Sequence, residues 1–192
     1  MTTPLEGSRL DRVEREDCPA EYHDSWDEIL RTRGMDVMPN VFSLLANSPG
    51  AMSVVTPVGA HVRYNTKFDD ILRELVIMTV AQELGCEYEW KHHYKVAERV
   101  GATEEQLRSI GSIELETEPE PIGPAVRYAR LLTHNEIIDD ELVGVLKQSF
   151  GPDGFVDLTI MIGYYGMLAR FINTVVIPME SGYEGITFNK TV

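Results

Sequence analysis

Along this chain, apolar residues recur with the 3.6-residue period of helices, and short clusters of glycine and proline divide one such stretch from the next. Over residues 19–33 the positions Tyr22, Trp26, Ile29 and Leu30 keep helical spacing, and Gly34 closes the segment. PNVFSLLANSPG, residues 39–50, opens at Pro39-Asn40 and ends at Pro49-Gly50, which predicts a short helix between turns. The next apolar segment, AMSVVTPVGAHV, is interrupted by Pro57, and its pattern does not fix its type. In FDDILRELVIMTVAQELG, residues 68–85, only Arg73, Glu74 and Gln82 break the run from Ile71 to Gln82, in which Thr79 stands among the apolar residues. That predicts a helix buried on nearly all sides.

Gly85 breaks that helix, and CEYEWKHHYKVAERVGA predicts another that stops at Gly101. TEEQLRSIG opens with a capping-box pattern, Thr103 followed by Gln106. ELETEPEPIGP, residues 114–124, is acidic and rich in proline and reads as a solvated connection. AVRYARLLTHNEI and DDELVGVLKQSFG are amphipathic, FVDLTIMIGYYGMLARFINTVV predicts a mostly apolar helix, and SGYEGITFNKTV predicts an extended tail. The fold class is therefore all-α, with an N-terminal arm at 1–18, one helical domain at 19–180 and a C-terminal tail at 181–192.

Composition narrows the partners. Of 192 residues, 43% are hydrophobic and 25% charged, as in an ordinary globular domain. With 31 acidic against 17 basic residues the net charge is −14, so no nucleic acid and no anionic membrane is expected as a partner. The N-terminus carries no apolar core of signal-peptide length, and no segment has ~18 uninterrupted apolar residues, so a cytoplasmic protein is expected. No glycine-rich phosphate loop is present, and two distant cysteines form neither a disulfide framework nor a zinc pattern. Cys18 is read as inert.

The chemistry concentrates in ELGCEYEWKHHYK, residues 83–95. On a helix starting near Cys86, the positions of Cys86, Glu89 and His93 stand at i, i+3 and i+7 and share a face. At a helix N-terminus the dipole lowers a thiol pKa, unless nearby carboxylates oppose it. Glu74 lies inside the most apolar helix, where an unpaired carboxylate is costly, so it needs a partner, a raised pKa or both. Two carboxylates and a histidine converging on an apolar pocket provide a general acid and a general base, although Glu89 and His93 also fit a buried structural pair. His92 points about 100° away from His93, and no two histidines have the i, i+4 spacing of helical zinc ligands, so no metal site is expected. Arg170 is the sequence's best partner for a buried glutamate or a substrate carboxylate, Tyr164 and Tyr165 read as core aromatics with a hydroxyl that can face the pocket, and His61 and His134 read as structural.

The spacing of Glu74, Cys86, Glu89 and His93 resembles the proton-relay motif of the alkylhydroperoxidase D and carboxymuconolactone decarboxylase superfamily. In the redox branch that motif is glutamate, cysteine, cysteine, histidine. This chain keeps three positions and has Glu89 at the second cysteine, and Tyr88-Glu89-Trp90 followed by His93 resembles the decarboxylase-like branch. PNVFSLLANSPG, Arg73-Glu74-Leu75 and FVDLTIMIGYYGMLARFIN extend the resemblance over residues 39–177.

The resemblance implies an AhpD-like helical bundle that assembles into homo-oligomers, trimers or hexamers or a dimer. It further implies a carboxymuconolactone decarboxylase-like lyase or isomerase that works without a cofactor on a small lactone or keto acid. Glu74, Cys86, Glu89 and His93 are then the catalytic candidates, and Trp90, Tyr165 and Arg170 the candidates for substrate contact. Two other readings stand beside it. One is a one-cysteine, thiol-dependent peroxidase acting through Cys86, which lacks a neighbouring resolving thiol. The other is a non-catalytic helical oligomer that binds a small ligand.

Overall fold

A computed structural model describes residues 3–188, and its helices begin and end where glycine and proline punctuate the chain. After two short 3-10 turns, α1 runs from His23 to Arg33 and stops at Gly34, whose left-handed φ of 60° lets its amide return to the last turn. Helix α2 spans Asn40–Leu45, and α3 spans Pro49–Tyr64. Pro49-Gly50 therefore starts a helix as well as ending a turn, as proline at the first helical position favours. Pro57 does not break α3. Its ring sits at an exposed position, away from the buried Met52, Thr56, Gly59 and Val62.

Helix α4 spans Asp70–Glu83, capped by the Asp69 carboxylate, which accepts from the amides of Ile71 and Leu72. Every residue from Leu72 to Gln82 is buried, as the apolar run predicts. Cys86 then caps α5, Glu87–Val100, which ends at Gly101 in the left-handed region. Helix α6, Glu104–Arg108, carries the predicted capping box between Thr103 and Gln106.

The acidic connection is more structured than its composition suggests. Ile113–Glu116 forms a short helix, α7, that buries Leu115, and Glu116 receives the Arg130 guanidinium at 2.5 Å. Buried apolar area and an ion pair hold this segment down, whereas the sequence reading counted only its charges and prolines. Helix α8 spans Ile122–Thr133. The last element, α9, Asp140–Val175, bends at Gly151, where φ 73° and ψ 172° separate the two segments expected as different helices.

Helix α4 forms the centre, packed by α5, α8 and α9, while α3 lies against α1 and α9. Among the described residues there is no strand, only an isolated bridge between Thr3 and Arg12. The second half of α9 is long and apolar enough to cross a membrane by length and composition, but half of that stretch is buried inside this bundle.

The described parts of the N-terminal arm and the C-terminal segment both pack on the helices. Arg12 in the N-terminal arm donates to Asn40 Oδ1 and to the Met38 carbonyl, and Ser43 donates to the Val13 carbonyl. The C-terminal segment packs on α5. Glu180 Oε1 accepts from the Asn40 amide and the Tyr88 hydroxyl, both at 2.8 Å, and Tyr183 lies against the His92 ring at 4.3 Å. Of the expected tail, residues 181–188 are thus a turn-containing strap, and residues 189–192 lie outside the described part.

Candidate active site

A cavity of about 390 Å3 opens between α1, α2, α3, α5, α9 and the C-terminal strap. One wall is the face of α5 carrying Glu89 and His93, which as an i, i+4 pair stand one turn apart. The opposite wall comes from α9 through Tyr164 and Tyr165. Gly59 of α3 allows that helix to approach, because a Cβ there would lie 2.2 Å from the Tyr164 hydroxyl oxygen.

Behind this wall α4 supplies Glu74, fully buried, whose Oε2 accepts a 2.5 Å hydrogen bond from His93 Nδ1–H. Burial alone would raise the Glu74 carboxyl. The His93 contact and the guanidinium groups of Arg63 and Arg73 outweigh it and hold the carboxyl below its ordinary value. Burial lowers His93, and the pull of Glu74 does not reverse the shift. The pair is therefore a carboxylate and a neutral imidazole. Because Nδ1–H is engaged by Glu74, the basic lone pair lies on Nε2.

Glu89 is in the opposite state. It is buried against the cavity, its Oε2 has no hydrogen-bond partner among the described residues, and burial raises its carboxyl well above the ordinary value despite the nearby Arg63 charge. Two carboxylates of one site thus hold opposite protonation states, as an acid and base pair requires.

Cys86 shares the α5 face but not the cavity. It is fully buried at the N-cap and does not line the pocket, and burial is the main cause that pushes its thiol up. The Glu89 amide opposes this only in part, so desolvation outweighs the helix-terminus effect expected from the sequence.

The expected contact residues divide. Tyr165 lines the cavity, its hydroxyl accepting from Arg63 Nη1 at 3.3 Å and pushed up to about 12 by burial. Trp90 does not line it; its ring stacks on Tyr94 at 5.2 Å and meets Phe188 edge-on. Arg170 is exposed and donates to the Gly166 carbonyl of its own helix, so it cannot partner the buried glutamate. That place belongs to Arg73 and Arg63, 3.6 and 3.9 Å from Glu74 Oε1. His61 and His134 pair with Asp157 and Glu83, away from the cavity.

Arg63 is the residue the sequence reading missed. It extends the buried stripe of Met52, Thr56 and Gly59 along α3 by one more turn, a register obscured by Pro57. Arg33, Lys95 and Arg99 also line the cavity, and Glu89 is its only acidic lining residue among those described. A chain of net charge −14 has thus gathered cations around one pocket. No group of three or more His, Cys, Asp and Glu side chains converges as a metal ion would need, among the described residues.

The comparisons bear on the fold and on the family pattern of the helices that carry Glu74 and His93. Residues 49–133 match the model of the carboxymuconolactone decarboxylase family. Similar solved structures include the debrominase Bmp8, with a TM-score of 0.74 at 15% identity, covering 94% of this chain and 95% of that one. They also include an uncharacterized peroxidase-related protein from Silicibacter sp. TM1040, with a TM-score of 0.74 at 18% identity and coverage of 96% and 98%. A third is an alkylhydroperoxidase AhpD core protein from Ralstonia eutropha JMP134, with a TM-score of 0.76 at 15% identity and coverage of 94% and 96%. No curated protein matches the sequence. The family pattern thus covers residues 49–133, and the chain as a whole shares its fold with AhpD-like structures.

Proposed function

We propose that the protein is a cofactor-free lyase or isomerase that moves protons on a small lactone or keto-acid carboxylate. The observation that carries this reading is geometric: His93 Nδ1 is held by Glu74 at 2.5 Å, and one turn away Glu89 lines the same cavity with a buried, unpartnered Oε2. The downward shift of His93 and the upward shift of Glu89 favour a neutral base beside a protonated acid. His93 Nε2 takes the proton at carbon, Glu89 serves the adjacent oxygen, and Glu74 fixes the tautomer of His93. The cations around the cavity favour an anionic substrate.

The thiol-peroxidase reading, which the names of two neighbours bring to mind, needs an accessible thiolate. Cys86 is buried, with its thiol pushed up, and offers it no support. We place the protein in the cytoplasm as a homo-oligomer, a trimer or hexamer. Val156, Ile160 and Met167, exposed apolar positions four and seven residues apart on α9, support assembly.

The test is proton NMR in D2O with a panel of 2-keto acids and carboxylated lactones, following loss of the proton next to the carbonyl and release of CO2. Exchange or decarboxylation is expected with the wild-type protein, reduced about 10²–10⁴-fold in His93→Gln and retained in Cys86→Ala. Turnover that survives His93→Gln but disappears in Cys86→Ala would overturn the reading in favour of thiol chemistry.

A further inference from the structure

Arg63 is placed where the reaction needs a second group, yet its protein contacts leave most of its bonding capacity free. It reaches from the last turn of α3 toward α4 and α9. Its Nη1 bond to Tyr165 is long at 3.3 Å, and its Nη2 stands 3.9 Å from Glu74 Oε1, beyond hydrogen-bond range. The Tyr64 ring lies 5.6 Å from the guanidinium carbon. Its Nε is buried and donates to nothing among the described residues, while about a fifth of the side chain remains open beside the cavity.

Arg63 helps hold the Glu74 carboxyl down by its charge, but it does so from beyond hydrogen-bond range, so its donors are not used up by Glu74, whose Oε2 is taken by His93. A buried guanidinium donor without an acceptor is costly when it serves packing alone. Across the same cavity Glu89 Oε2 is also buried without a partner. Arg63 Nε, Glu89 Oε2 and the Tyr164 hydroxyl, three unmatched polar groups, therefore border a single space, with His93 beside them.

We propose that Arg63 is a catalytic residue: together with Glu89 it donates to the substrate oxygen that becomes anionic when His93 removes a proton from the neighbouring carbon. This rests on the proton-transfer reading and names the electrophilic half of that site. His93 Nε2 bonds to the proton, the electron pair of the C–H bond becomes the new C=C π bond, and the carbonyl π pair moves onto oxygen. The oxygen then carries the charge facing the Arg63 guanidinium and the Glu89 O–H. Return of the proton from His93 to either end of the enolate reverses the charge separation, so no oxidant or reductant takes part. Donors fixed in a buried site stabilise such an oxygen more than water does, because they need no reorientation as the charge develops.

The substrate class follows from this arrangement. It has a carbonyl oxygen next to an acidic C–H, and the oxygen must reach both Arg63 and Glu89 while the carbon faces His93.

Oxalate, a small planar dianion resembling an enediolate, tests the anion contact without catalysis, and Arg63→Met and Arg63→Lys are the variants. By calorimetry, oxalate is expected to bind the wild-type protein, to weaken at least tenfold in Arg63→Met and less in Arg63→Lys, and to persist in His93→Gln. In the deuterium-exchange assay, Arg63→Met is expected to lose about 10²–10³-fold in kcat with a smaller change in KM, and added guanidinium ion to restore part of the rate in Arg63→Ala.

Unchanged oxalate affinity and unchanged exchange in a folded Arg63→Met protein would overturn the proposal while leaving the relay of His93 and Glu74 intact. Oxalate binding lost in Arg63→Met, with no exchange by the wild type on any acid of the panel, would reduce Arg63 to a ligand anchor and overturn its catalytic role. That result would also count against the proton-transfer reading itself.

Discussion

The two ends of one helix face behave differently. Cys86 and His93 lie on the same side of α5, two turns apart, and both are buried. At the His93 end, the face meets a cavity and a carboxylate from α4, so a titratable group is tuned and its free nitrogen left available. At the Cys86 end, it meets packed core, and burial suppresses the ionised form of the thiol. Spacing along a helix decides which residues share a face. Depth beneath the neighbouring helices decides which of them can react.

The largest expected effect separates these ends directly. His93→Gln should reduce proton-transfer turnover about 10²–10⁴-fold, whereas Cys86→Ala should change it less than about threefold and cost about 1 kcal/mol of stability for the small space it opens. Steady-state rates together with thermal melts distinguish the outcomes. Loss of activity in Cys86→Ala with an unchanged melt would place the chemistry at the wrong end of the helix.

The pH dependence sharpens the contrast on the active side. The proposed proton transfer requires His93 without its proton and Glu89 with it. Because His93 is shifted down and Glu89 up, the acid limb of kcat should fall below the ordinary histidine value of about 6.5, and the alkaline limb should lie well above the ordinary carboxylate range. In Glu89→Gln the rate should drop by about tenfold or more, and the alkaline limb should vanish. A limb that survives this substitution belongs to some other group.

Glu89 also makes a prediction about stability with a definite sign. Its folded pKa exceeds its unfolded value near 4.5, so the native state holds the extra proton, and its contribution is present in full below that value and lost as pH rises through the folded pKa. Glu89→Gln, similar in shape but not titratable, should therefore gain on the wild type in melting temperature as pH rises from about 4 to 8, with the difference smallest at the acid end. A difference that shrinks with rising pH would mean that Glu89 is ionised in the folded protein.

How far the sequence could reach is clear from the residues it picked and those it passed over. Helical periodicity and glycine stops predicted α1, α4, α5 and the break in α9, because these depend on local backbone preferences and a continuous apolar face. That Glu74, Glu89 and His93 come together was legible because a carboxylate in an apolar helix and a shared face are both visible in one dimension. Arg63 was not, since its place depends on how α3 packs against α9, and Pro57 masked the register of α3. Arg170 was chosen for the apolar character of its helix, but helices have two sides, and this arginine lies on the outer one. The strap was read as a tail because its ties run through single side chains: Glu180 to Tyr88 and Asn40, Tyr183 to His92, and Lys95 to the Gly182 carbonyl.

The smallest effect bears on the silent end of the face. With Cys18→Ser leaving Cys86 as the single thiol, iodoacetamide at pH 8 should label the native protein far more slowly than it labels a free cysteine. Two terms act together: the thiol is fully buried, and the fraction present as thiolate is cut by the upward shift. Cys86 is also tied to the core through its amide, which donates to the Ala81 carbonyl at 2.8 Å, so exposing the sulfur requires the α4–α5 turn to open. Labelling followed across a denaturant series should accordingly rise with the unfolding transition. Fast labelling well below that transition would show that the turn opens locally, and the difference between the two ends of α5 would then be one of dynamics rather than of packing.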